Sequence, residues 1–258
     1  MDNRPIGVFD SSVGGISVLR ELVKVMPGEH YLYLGDTLNA PYGTRPESEI
    51  QGLSRSAAHQ LVDRGVKAIL IACNTATSAA AEMLRQELPI PVIGMEPALK
   101  PAALGRTSGR IAVLATPATL RQRKFHRLFE QYGEYADAIP CAGLMEFVER
   151  RELDTDAVRA YLGEKLAPKG PEPYTAIVMG CTHYVFLRRA IRGIAPDATL
   201  YDGNRGTALW MRQSLERRGL LGGGEGSVTF TTTGDEARIL PTMQWLYTTE
   251  IEEDTHDG

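Results

Sequence analysis

Two segments each deliver a thiol into a run of polar groups. "ILIACNTAT" spans Ile69 to Thr77 and places Cys73 beside Asn74 and Thr75; "IVMGCTHYV" spans Ile177 to Val185 and places Cys181 beside Thr182 and His183. Each apolar run reads as a buried strand, so each cysteine stands at a strand end, followed by a helical pattern. A thiol near a helix N-terminus is expected to have a lowered pKa and to serve as thiol or thiolate near neutral pH. One thiolate taking a proton from one face of a carbon, with one thiol returning a proton to the other face, inverts that carbon. The plainer reading of a single strand-end cysteine is structural, since free cysteine packs as a small hydrophobe. Two at equivalent points, each with polar followers, favour catalysis. Cys141 lacks such followers and is read as structural. His183, next to Cys181, is expected to handle protons. Asp10 in "GVFDSSVGG" is either an N-cap or a site group. That segment lacks the lysine and the hydroxyl of a P-loop and the spacing of GxGxxG, so it is not a nucleotide site. His59 lies opposite the apolar stripe of its helix and is expected to be exposed.

The elements that position these groups alternate regularly. "PIGVFD", "HYLYLGD", "AILIACN" and "PVIGME" (91–96) read as strands, separated by helices whose stripes include Ile16, Leu19 and Val23, then Ile50, Leu53, Ala57 and Leu61. The rhythm then restarts with "RIAVLATP", "AIPCAG", "AIVMGCTH" and "TLYDGN". Strand ends of the two halves match at near-constant spacing: Asp10 with Thr116, Asp36 with Cys141, Cys73 with Cys181 and Glu96 with Asp202. This predicts an α/β fold of two pseudo-symmetric three-layer lobes with mostly parallel sheets and the active site in the cleft between them. After Gly206 a helix over 209–218 and a strand "VTFTTTGD" have no counterpart in the repeat, and the acidic end, 250–258, is expected to fray.

Bulk properties narrow the partners. The 258-residue chain carries a formal charge of −4 and no long basic run, which argues against nucleic acid. No stretch reaches a transmembrane span and the start is not a signal peptide, so no membrane is expected and the location is expected to be cytoplasmic. Three cysteines without a CxxC pair suggest neither a disulfide framework nor a metal site; they act as thiols if they act. Strand ends that feed helices suit a small carboxylate or phosphate.

"IGVFDSSVGG", "GDTLNAPYG", "ACNTATSAAA", "MGCTHY" and "TTTGD" occur in that order and closely resemble the hallmark segments of glutamate racemases, in the cofactor-independent aspartate/glutamate racemase group. The resemblance spans nearly the whole chain. It implies lobes over 1–97 with 207–258 and over 98–206, no cofactor, a homodimer, and D-glutamate for peptidoglycan. It implies that Cys73 works on D-glutamate and Cys181 on L-glutamate, assisted by Asp10, His183 and Glu149. It maps substrate contacts onto Asp10, Ser11, Pro41, Tyr42, Gly43, Asn74, Thr75, Thr182 and His183, with Thr116 and Thr119 lining the same cleft. Four departures border the site: Ser12 stands where the family usually has glycine, the common arginine near Asn39 is missing, no proline follows Cys141, and Val185 replaces a common proline. Rival readings are a racemase of another acidic amino acid such as aspartate, a cysteine hydrolase using Cys181 and His183, and a non-catalytic protein binding an acidic ligand.

Overall fold

The computed structural model describes residues 1–252. Nine strands form two sheets. In the first half, β1 (Ile6–Asp10), β2 (His30–Gly35), β3 (Ala68–Ile71) and β4 (Val92–Gly94) alternate with α1 (Ile16–Val25), α2 (Glu47–Asp63) and α3 (Asn74–Glu87). The short α4 (Leu99–Gly105) leads into β5 (Arg110–Ala115), α5 (Pro117–Arg121), α6 (Arg123–Tyr132), β6 (Ala136–Pro140), α7 (Leu144–Glu149) and α8 (Asp156–Lys165). Then come β7 (Tyr174–Met179), a 3-10 turn (Thr182–Leu187), α9 (Arg188–Ile194), β8 (Thr199–Tyr201), α10 (Asn204–Arg217), β9 (Ser227–Thr232) and α11 (Glu236–Thr248).

All pairings are parallel. One sheet runs β4-β3-β1-β2-β9 and the other β6-β5-β7-β8. Taken from its far edge, the second sheet reads β8-β7-β5-β6 and repeats the order β4-β3-β1-β2, so the matched strand ends of the sequence occupy matched places. β9 has no such counterpart and pairs in parallel with β2, Tyr31 opposite Val228.

Strands covered on both faces explain the unbroken apolar runs: every residue of β1 and β3 is buried. α1 buries Ile16, Val18, Leu19 and Leu22, and α3 buries Ala76, Ala79, Ala80 and Ala81, whose small side chains let it lie close to its sheet. One apolar core crosses from lobe to lobe, joining Val13 and Ile16 to Leu114, Met179 and Tyr184.

Several boundaries differ from the sequence reading. β4 is only three residues long, and α10 begins at Asn204, five residues before the expected start. α11, to which the sequence reading assigned no element, forms although Pro241 lies within it, capped by Asp235, whose carboxylate accepts from Ala237 N at 3.0 Å, and it buries Met243 and Leu246. The expected fraying of the acidic end concerns, for 253–258, residues outside those described. Among the described residues no helix is long and apolar enough to cross a membrane.

Candidate active site

The carboxyl ends of β1, β3, β5 and β7 meet where the lobes face each other. The loop after β1 (Ser11–Gly15) is pressed against the 3-10 turn of the other lobe. Gly14 makes this approach possible: a Cβ there would stand 2.2 Å from His183 Nδ1 and 2.6 Å from Thr182 Oγ1. Ser17 Oγ, on α1, donates to Thr182 O at 3.0 Å and fixes the contact.

Cys73 caps α3, its Sγ accepting from Ala76 N at 3.4 Å. Ser11 Oγ lies 3.5 Å from Cys73 Sγ and 3.4 Å from Asp10 Oδ1. Asp10 is fully buried and does not cap α1, whose N-cap is Gly15. Its Oδ1 accepts from Ser12 N at 2.6 Å, and its Oδ2 accepts from Thr182 Oγ1, across the cleft, at 3.0 Å. The two cysteine segments are thereby linked through one carboxylate. On the far wall, His183 Nδ1 is 3.8 Å from Cys181 Sγ. His183 Nε2 is 3.5 Å from Glu149 Oε1, an ion-pair separation rather than a formed hydrogen bond, and Nε2 has no hydrogen-bond partner.

Burial dominates the electrostatics. It drives the Cys73 thiol up to about 12, and the Asp10 charge beside it adds to the rise. The expected lowering of this thiol by its helix is therefore reversed, because desolvation of a buried thiolate outweighs the helix end. Burial also raises Asp10, against the pull of His183 and the Ser12 N–H. It opposes the charged form of His183, yet Cys181 and Glu149 lift that imidazole well above its ordinary value. In Glu149 burial is again outweighed, by His183 and the Ser12 hydroxyl, and its pKa falls.

The remaining expected residues form two groups. Thr75 Oγ1, Thr116 Oγ1 and Thr119 Oγ1 make a triangle of hydroxyls at 2.9–3.1 Å that bridges the lobes. Asn74 is buried next to it with its Oδ1 unpartnered. Pro41, after a cis peptide bond, leads into a 3-10 turn with Tyr42 and Gly43 buried. The Gly43 Cα faces Thr116 closely: a Cβ would lie 3.1 Å from Thr116 Cβ, so a side chain there would require Thr116 to give by a few tenths of an ångström. The Tyr42 hydroxyl donates to Asp36 Oδ2 at 2.5 Å. Asp36, which the sequence reading left without a role, also accepts from Asn39 Nδ2 at 2.9 Å and from Thr233 Oγ1 at 2.7 Å. It anchors the 36–43 loop to the end of β9, and its place at a strand end matching Cys141 was the available signal. Gln122, also unforeseen, donates from Nε2 to Thr75 O at 3.2 Å. Of the expected bland residues, Cys141 is buried with its Sγ directed at Ile139 O, and His59 is exposed beside Glu87. A cavity of about 230 Å³ adjoins the cluster, lined in part by Ser12, Thr37, Pro41, Glu149 and Arg238.

This arrangement brings two thiols, a shared buried carboxylate, an imidazole–carboxylate pair and many hydroxyl donors to the junction of the two lobes. Comparisons with known proteins show the family. The family model described as Asp/Glu/Hydantoin racemase matches residues 6–208. A glutamate racemase of Clostridium botulinum (strain Alaska E43 / Type E3) is 42% identical over 92% of this chain and 95% of its own. The crystal structure of glutamate racemase from Thermus thermophilus in complex with beta-chloro-D-alanine superposes with a TM-score of 0.81 at 35% identity, covering 98% of this chain and 96% of that one. Glutamate racemase from Francisella tularensis in complex with D-glutamate gives a TM-score of 0.82 at 28% identity, covering 97% and 96%. With the fold, the matched strand ends and the sequence all in agreement, this chain belongs to the Asp/Glu/Hydantoin racemase family and is an amino-acid racemase.

Proposed function

We propose that the chain interconverts L- and D-glutamate by proton transfer between two thiols, without a cofactor. The observation that carries this reading is the placement of Cys73 and Cys181 at equivalent strand ends, joined through Ser11, Asp10 and Thr182. In the L-to-D direction Cys181, as thiolate, takes the α-proton, and the Cys73 thiol delivers its proton to the opposite face. In the reverse direction the roles exchange. The raised Cys73 thiol suits the first of these directions, since it enters the cycle protonated. His183, at 3.8 Å from Cys181, offers positive charge to the sulfur while it is a thiolate, and Asp10 ties the two halves together through Ser11 and Thr182.

The α-proton of an amino acid is weakly acidic, so negative charge developing on the substrate needs pre-organised donors in a space closed to water. Ser11, Asn74, Thr75, Thr116, Thr119 and Thr182 are all buried around the cleft and supply such donors. Pro41, Tyr42 and Gly43 form the wall of the side-chain end in this reading. Supply of D-glutamate for peptidoglycan, a cytoplasmic location and a homodimer belong to the same proposal.

The test is incubation with L-glutamate in D₂O, with a chelator present, followed by proton NMR and polarimetry. The α-proton signal and the optical rotation should both vanish, and Cys73→Ala and Cys181→Ala should each abolish the loss of rotation. Full racemisation by either variant would sink the two-thiol mechanism. Faster turnover of aspartate measured in parallel would overturn the choice of glutamate.

A further inference from the structure

We infer that Ser12 is a positioning residue for the Cys181 half of the reaction, acting through Glu149 and His183. The inference rests on the two-thiol reading above. Ser12 is 2% exposed and bonded on every side. Its N–H donates to Asp10 Oδ1 at 2.6 Å, its carbonyl accepts from Tyr33 Oη at 3.2 Å, and its Oγ donates to Glu149 Oε1 at 2.5 Å. The backbone bonds are open to any residue at this position. The hydroxyl bond is not, and it is the point of difference from the glycine that the family pattern favours here.

The oxygen that Ser12 holds, Oε1, is also the one that stands 3.5 Å from His183 Nε2. Glu149 leaves the end of α7, and about a third of its side chain is exposed on the side of the adjoining cavity. A carboxylate so placed can rotate toward solvent unless something on the inner side holds it. Ser12, from the opposite lobe, does this. It also donates its only hydroxyl proton, which requires an acceptor and so favours the ionised carboxylate over the neutral acid. Held there, Glu149 keeps negative charge beside Nε2, and the ring keeps Nδ1 turned to Cys181 Sγ at 3.8 Å. No comparable chain of contacts runs from the Ser12 hydroxyl to Cys73, which is approached through Ser11. The effect of Ser12 is therefore one-sided.

Racemisation uses both faces in every turnover, so the test isolates each face. In 3-chloroglutamate, removal of the α-proton sends the electron pair of the C–H bond to expel chloride. The enamine then hydrolyses to 2-oxoglutarate and ammonium, with no second thiol required. The L form reports on Cys181 and the D form on Cys73. Ser12→Ala should slow kcat for the L form about tenfold, as expected for one lost bond to a charged group, and leave the D form within about twofold. The acid limb of the L-form pH profile should move to higher pH, because Glu149 without its donor protonates more readily. Ser12→Thr, which keeps the hydroxyl, should restore both. In a Glu149→Gln background Ser12→Ala should add little further loss. Equal slowing of both forms, or of neither, or an unmoved acid limb, overturns the assignment. The D form doubles as a control for folding. Retention of L-form elimination by Cys181→Ala would instead show that the two-thiol reading itself has failed.

Discussion

At the scale of single residues, three cysteines that look alike in the sequence occupy three different environments. Cys73 touches a hydroxyl and a helix N–H, Cys181 touches an imidazole, and Cys141 lies in the apolar core with its thiol on the Ile139 carbonyl. Burial raises Cys141 to about 12 as well, with a smaller contribution from Cys181. A thiol whose folded pKa lies above its unfolded value stays protonated in the native state while the unfolded chain ionises. The unfolded chain then binds fewer protons, so stability falls as pH rises from about 9 toward 12, and is fully present below that window. Cys141→Ala should therefore keep racemase activity and flatten the decline by about 1.4 kcal/mol per pH unit within the window. Urea denaturation from pH 8.5 to 11 checks this; an unchanged slope would show that the thiol is not held protonated. The same residue scale shows why Asp10 was ambiguous in the sequence. A carboxylate between a strand and a helix reads as a possible cap, but Asp10 lies six residues before α1, too far to cap it, and only the fold shows that Thr182 of the other lobe is its partner.

At the scale of elements, the active cleft depends on how closely the loop after β1 can approach the 3-10 turn after β7. Gly14 lies at this contact and has no room for a Cβ, because the nearest atoms are the His183 ring and the Thr182 hydroxyl. Gly14→Ala must push the two apart by roughly an ångström, a displacement that costs about 10²-fold when it separates reacting groups. The expected result is a loss of that order in kcat/KM with a folded circular-dichroism spectrum; activity within twofold of the parent would show that the contact is not needed. α10 and α11 complete this architecture from outside the repeat. α10 packs on α1, while α11 delivers Met243 and Leu246 to the core that α1 shares, and Arg20 of α1 donates to the carbonyls of Leu246 and Thr249. The helix that follows the loop bearing Ser11 is thus braced from behind by α11.

At the scale of the whole molecule, stability and chemistry lie at opposite ends of the first sheet. The carboxyl ends of its strands carry the groups to which the proposal assigns the chemistry, and the amino ends are closed by a buried ion pair. Lys67 Nζ meets Glu29 Oε2 at 2.5 Å, with the side chains 0% and 3% exposed. Lys67 also donates to Asp2 O at 2.6 Å, and Glu29 Oε1 accepts from Gly222 N at 2.7 Å, so the chain start, β2, β3 and the loop before β9 are joined at one point. Lys67→Met leaves Glu29 buried without its partner and should destabilise by about 3–5 kcal/mol in urea titrations, with kcat of the remaining folded enzyme unchanged. Adding Glu29→Leu should return most of that loss, since both charges are then gone. A single variant as stable as the parent would show that water reaches the pair.

Much of this was legible in the chain itself. Buried parallel strands announce themselves as unbroken apolar runs, and near-equal spacing of Asp10, Asp36, Cys73 and Glu96 from their second-half partners disclosed the repeat that the sheet order β4-β3-β1-β2 and β8-β7-β5-β6 displays. The types of Cys73 and Cys181 and their polar followers pointed to paired thiol chemistry, because side-chain type and strand phase are local properties. The tertiary structure alone decided which groups act on one another. Asp36 holds the Tyr42 hydroxyl, Thr182 claims Asp10, and Ser12 reaches Glu149 across 137 positions of sequence. It also decided the protonation of Cys73, which local reasoning had reversed: a helix end acts over one turn, whereas desolvation depends on everything packed around the sulfur.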